Sequence, residues 1–353
     1  MANHLGQEAT TGPPPATVAP VASPPLSDRA LHWASRRARI LAPLVTLLAM
    51  VAFFSVASDR FLDVRNFQNI LTQVGPVAVA AAGVTFVLLC AEIDLSIASV
   101  ATFAGVLAAY FWVGTWIHLG NWGVIVGLAV GALIGLINGF FVSRVGIPSF
   151  MMTLAMLTIA VGLSIYVTQG RPIFESPTLL RYLGGSSNRL FGVPVIAMVA
   201  TVVLLIAEFV LSYTKFGRYV YMTGGNREAA EMSGVNTRQV IMLCLMISGI
   251  TASIAGMLAV GRLSQANPAA GGDLLIATIA AVVLGGTSLF GGEGGVRNTV
   301  LGILIFGVLS NGLNLLPNIS IYIKEALQGI ILVGALLLNV LALRLERVRT
   351  RTE

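Results

Sequence analysis

Long apolar runs broken by short polar stretches govern this chain. Such runs lie near 40–57, 69–90, 95–114, 122–143, 149–168, 193–213, 240–261, 273–290, 296–315 and 321–343. Each approaches or reaches the length that crosses a bilayer as a helix, about 20 residues. They predict an all-α polytopic membrane protein with about ten transmembrane helices. Only four residues separate the second run from the third, and five the eighth from the ninth. Broken or re-entrant helices are therefore expected in either pair.

Composition supports lipid as the solvent. Of 353 residues, 56% are hydrophobic and 10% charged, against roughly 25% charged in soluble domains. Residues 1–39 differ: Pro13, Pro14, Pro15, Pro20, Pro24 and Pro25 stand among Ala, Thr and Ser. Such a composition builds no core and predicts a disordered tail. Arg36, Arg37 and Arg39 then introduce the first apolar run. A cleaved signal peptide is the competing reading, with Ser55-Val56-Ala57 as its cleavage site. The run is longer than the roughly 7–15 residues of a signal core, which favours an uncleaved first span. The expected layout is a tail over 1–39, a membrane domain over 40–343 and a basic tail over 344–353.

Charge sets the orientation. With the N-terminus in the cytoplasm, 14 Lys and Arg fall in inside segments and 6 in outside segments. Positive residues favour the cytoplasmic side, so both termini are expected there. Five spans precede the external loop at 169–192 and five follow it. An odd number per half runs the second half upside down, a five-plus-five inverted repeat like that of many transporters.

The longest polar interruption between strongly apolar runs is 215–239, which this topology makes cytoplasmic. Within it, Gly224-Gly225-Asn226-Arg227-Glu228-Ala229-Ala230 and then Ser233-Gly234 read as a short bounded helix. Asn226 suits the N-cap, Glu228 the positive first turn, and Gly234 a left-handed stop. The expected product is about two exposed turns with an Ala-rich face, too short to be stable alone. A partner must hold it.

Other motifs admit more than one use. Gly127, Gly131, Gly135 and Gly139 recur every fourth residue and offer a bare helix face, for packing inside the chain or for a dimer. Asp94 and Ser96 sit in the break between spans two and three. Asp94 either caps the following helix or serves the substrate path or its gate. Glu92 beside it is read as reaching the membrane interface. Gly285-Gly286-Thr287-Ser288 and Gly291-Gly292-Glu293-Gly294-Gly295 form a flexible corner that lacks the Gly-Lys-Ser/Thr of a phosphate loop. No P-loop occurs anywhere in the chain. Asn138, Asn298, Asn311 and Asn314 are carboxamides for interhelical bonds or sugar hydroxyls. Intramembrane ionisable residues are too few to favour an ion-coupled carrier. Cys90 and Cys244 lie in apolar runs and suggest neither disulfide nor metal site. No metal cluster or nucleophile–base set suggests an enzyme, and nothing suggests a nucleic-acid partner.

Taken together, several of these stretches resemble the ribose-type ABC importer permeases. The Gly224–Gly234 segment is similar to their coupling motif, and Ile93-Asp94-Leu95-Ser96 to their Ile-Asp-Leu-Ser signature, with Glu92 where the family usually has Gly. Pro148–Leu154, Thr168–Ile173, Leu284–Thr287 and Asn311–Leu316 continue the likeness in order over about residues 60–340. The resemblance implies a permease subunit in a bacterial inner membrane that imports a monosaccharide and binds no cofactor itself. ATP and Mg would belong to a cytoplasmic ABC ATPase. A periplasmic or lipid-anchored sugar-binding protein would dock on external segments such as 169–192 and 262–272. A second permease chain, identical or different, would complete the pathway. Gly224, Gly225, Asn226, Glu228, Ala229, Ala230, Ser233 and Gly234 would form the ATPase contact. Asp94, Ser96, Thr287, Asn311 and Asn314 are candidates for the path or its gate. The sister permeases for branched-chain amino acids share this logic and are the nearest alternative.

Overall fold

The computed structural model describes residues 43–114 and 117–317, with scattered positions between 320 and 337. Twelve α-helices are taken in order from Pro43 to Leu315. They are α1 (Pro43–Ala57), α2 (Val64–Leu89), α3 (Ile97–Val113), α4 (Gly123–Phe140), α5 (Ser149–Thr168) and α6 (Thr178–Gly184). Then come α7 (Val195–Tyr213), α8 (Lys215–Gly225), α9 (Arg227–Met232), α10 (Thr237–Leu263), α11 (Gly272–Leu284) and α12 (Val296–Leu315). A two-stranded hairpin, β1 (Arg189–Leu190) and β2 (Val193–Pro194), precedes α7. Its turn residues Phe191 and Gly192 both have positive φ, the geometry that suits a tight two-residue hairpin turn.

Among the described residues, six helical stretches are long and apolar enough to cross a membrane, while α1, α3 and α11 are apolar but shorter. The tenth expected span, 321–343, and both expected tails lie largely or wholly outside the described residues. The eighth span was expected to reach residue 290, yet α11 stops at Leu284. Gly285 follows, and Gly286 has a φ of 93° that no helix continues through. Between α2 and α3 the break is equally abrupt, with Ala91 at a φ of 60°.

The packing has a repeated order. Helix α10 lies against α2, α3 and α4, while α2 lies against α10, α11 and α12. Helix α3 also packs on α4 as α11 packs on α12. The glycine stripe of α4 serves this arrangement. A Cβ at Gly127 would lie 2.7 Å from the Ala104 carbonyl oxygen. At Gly131 it would lie 2.5 Å from that of Gly249, and at Gly135 2.4 Å from that of Leu245. The stripe is therefore filled by this chain's own α3 and α10. Thr85 and Thr299 join α2 to α12 through a buried hydroxyl contact of 2.9 Å. Cys90 and Cys244, unrelated in sequence, are free buried thiols 3.4 Å apart.

Loops sort to two ends. At one end, the loop after α2, the α8–α9 segment and the α11–α12 corner meet: the Gly292 N–H donates to Leu89 O at 2.9 Å. At the other, Ile173 and Ala266 exchange backbone hydrogen bonds of 2.9 and 2.8 Å, and Gln68 Nε2 donates to Gly192 O.

Candidate functional site

The 215–239 stretch folds as two helices rather than one. Thr214 caps α8 by accepting from the Gly217 N–H. Helix α8 ends at Gly225, because Asn226 turns extended (φ −158°, ψ 104°) and opens α9. The Asn226 side-chain oxygen accepts from the Ala229 N–H at 3.0 Å, the expected N-cap bond. Glu228 stands in the first turn. Gly234 adopts a φ of 81°, and the Val235 N–H returns to the Ala230 carbonyl at 3.0 Å, closing the helix as a left-handed stop should. Thr237 Oγ1 then donates to Glu231 Oε1, tying α9 to the first turn of α10.

Burial revises the expected face. Ala230 is only 1% exposed and packs into an apolar cluster with Val220, Val235 and Val240. It seats α9 on its own chain and offers no surface to a partner. Gly224 is likewise an internal contact, since a Cβ there would lie 1.7 Å from Leu89 O and 2.9 Å from Gly292 N. The surfaces of Gly225, Asn226, Glu228, Ala229, Ser233 and Gly234 are exposed. Met232, which sequence reasoning passed over, is 84% exposed. Its spacing of three from Ala229 puts both on one helix face, a signal that was available.

The second cluster centres on Asp94, which is buried. Its Oδ1 accepts from the Ser96 N–H (2.9 Å) and hydroxyl (2.6 Å), and its Oδ2 from the Ser248 hydroxyl (2.7 Å). Asp94 thus holds Ser96, which is itself the N-cap of α3 and makes no side-chain cap bond, and it caps no amide of α3 while also reaching α10. Asn138 of α4 donates to Ser96 Oγ at 3.0 Å. From α5, Ser149 and Thr153 hydroxyls accept the Ile93 and Leu95 N–H groups, each at 3.0 Å. Three helices therefore fix this short loop. A carboxylate removed from water requires such partners.

The five candidate path residues do not converge. Asp94 and Ser96 share this cluster. Thr287 is buried in the glycine corner, where its hydroxyl accepts from the Gly295 N–H at 3.4 Å. Asn311 is buried fifteen residues along α12 from Val296, about 22 Å at 1.5 Å per residue. Asn314 is exposed, and its carbonyl accepts from Lys324 Nζ.

One contact unites the coupling segment with the Asp94 loop. Arg227, the first residue of α9, donates to Glu92 Oε1 at 2.5 Å. Glu92 was expected to reach the membrane interface; instead it is nearly buried and bound to α9. On the opposite flank, Tyr221 Oη donates to Gly294 O at 2.9 Å. Burial, with Glu208 nearby, raises the Tyr221 phenol above its usual range, so it stays a donor.

This geometry belongs with what comparison of the chain shows. The family model described as the branched-chain amino acid transport system permease component matches residues 66–336. The chain belongs to that family. The ribose import permease protein of Escherichia coli (strain K12) is 37% identical over 300 residues, covering 84% of this chain and 92% of its own. That of Bacillus subtilis (strain 168) is 35% identical, covering 85% and 92%. The fructose import permease protein of Rhizobium meliloti is 35% identical, covering 78% of each. The chain is thus a multi-pass inner-membrane ABC permease, and its relatives are transport proteins rather than enzymes.

Proposed function

We propose that this chain is the membrane subunit of a binding-protein-dependent importer that carries a monosaccharide into the cytoplasm, driven by a separate ATPase. The observation that carries the reading is identity of 35–37%, over most of each chain, to permeases named for ribose and fructose. The bounded α9, with Ala229 and Met232 on an exposed face, is the surface an ATPase groove would take. ATP and Mg belong to that partner, since no P-loop occurs in this sequence. The reading includes ten spans, both termini in the cytoplasm and a five-plus-five inverted repeat. The reciprocal packing supports this: α2, α3 and α4 find in α10, α11 and α12 counterparts with matching neighbours. The bridged loops around Ile173 and Ala266 supply the docking face for a sugar-binding protein, and a second permease chain completes the pathway.

The family's own description favours a second reading, branched-chain amino acid import. Proteoliposomes holding this chain, its ATPase and its binding protein separate the two. The expected result is ATP-dependent uptake of a labelled pentose or hexose. Uptake of leucine in place of sugar would establish the second reading. Sugar entry driven by an ion gradient without ATP would overturn both.

A further inference from the structure

The coupling segment grips two corners of the membrane domain by different chemistry. Helix α8 packs backbone on backbone against the α11–α12 corner and the end of α2, and adds the Tyr221 hydroxyl bond to Gly294 O. A Cβ at Gly292 would lie 2.8 Å from the Gly225 Cα, and one at Gly291 2.8 Å from Gly224 O. Nothing there can lengthen without losing packing. Against the α2–α3 loop, the side-chain contact is the 2.5 Å pair of Arg227 and Glu92. The Glu92 side chain is 11% exposed and that of Arg227 48%, so the acid is fixed in the membrane domain while the base rides on α9. Two residues beyond Glu92, Asp94 is bonded to α10 and, through Ser96, linked to Asn138 of α4. A pull on Glu92 is therefore delivered to the start of α3 and to the helices that flank it.

We infer that the Arg227–Glu92 ion pair is the link that carries movement of α9 to the α2–α3 loop, with Glu92 and Arg227 as positioning residues for transport. This rests on α9 being the ATPase-coupled element. A salt bridge suits this role because it holds at contact distance, is directional, and re-forms after each stroke. Its loss would leave α8 packed on the glycine corner and on Leu89, with α9 deprived of its side-chain hold on the α2–α3 loop. ATP would then be hydrolysed with less sugar moved.

The test measures sugar transported per ATP hydrolysed by the complete importer in proteoliposomes. Glu92→Gln keeps the side-chain shape and lies away from the exposed face of α9. It is expected to lower that ratio about five- to tenfold, the low end of typical coupling between sites, with the ATPase still co-purifying. Arg227→Gln should lower it similarly. The paired exchange Glu92→Arg with Arg227→Glu should recover the ratio to within about twofold. Single variants with the wild-type ratio, or a paired exchange as defective as either single variant, would overturn the inference. Failure of the ATPase to co-purify even with the unaltered chain would count against the proposed function, and is seen before any variant is made.

Discussion

Replacing Ala230 with Glu puts a carboxylate where a methyl group is 1% exposed, against Val220, Val235 and Val240. The side chains of that cluster are apolar and give the charge no partner. An unpaired buried carboxylate costs several kcal/mol, while the Asn226 cap that helps define α9 contributes only about 1 kcal/mol. A helix of six residues has no stability of its own to offset the difference. Ala230→Glu should therefore unseat α9 and leave the rest of the membrane domain folded. Ala229→Glu places the same group on the exposed face and should keep α9 in place. Hydrogen exchange of the purified permease reads this directly through the Ser233 and Val235 amides, whose acceptors include the Ala229 and Ala230 carbonyls. The expected result is loss of protection in Ala230→Glu and retention in Ala229→Glu, with the ATPase released from both. Unchanged protection in Ala230→Glu would refute the assignment of Ala230 to the interior.

Asn226→Ala should weaken the start of α9 by about 1 kcal/mol, seen as faster exchange at the Ala229 amide, which the Asn226 side chain now holds. Gly256→Ala forces a Cβ to within 1.8 Å of the Ala101 carbonyl oxygen; overpacking of about 1–3 kcal/mol should lower the thermal midpoint in detergent, and an unaltered midpoint would contradict the close approach of α3 and α10. Asp94→Asn keeps the shape but changes the carboxylate that three donors share; uptake should fall more than stability does, and wild-type uptake would leave Asp94 only its role in holding the loop before α3.

The positions of most spans were legible because lipid demands long apolar runs, and a run of that kind is a local property. Among the described residues a helix stands at each of the first nine expected spans, six of these stretches being long and apolar enough to cross a membrane, and the α9 caps followed from Asn226 and Gly234 alone. The break at Ala91 fell where the sequence put it, while the one at Gly286 came before the expected end of the eighth span at residue 290.

What a run of residues cannot hold is which face meets which neighbour. Ala229 and Ala230 are chemically identical, and only the apolar cluster beneath α9 makes one a surface and the other an anchor. The four-residue glycine spacing favoured internal packing but left dimerisation open; the backbones of α3 and α10 lying against it decided for the first. Glu92 and Arg227 are 135 positions apart. Their charges were visible in the sequence, but ion pairing depends on distance in space, and that distance exists only once α2, α8 and the glycine corner have closed around one another.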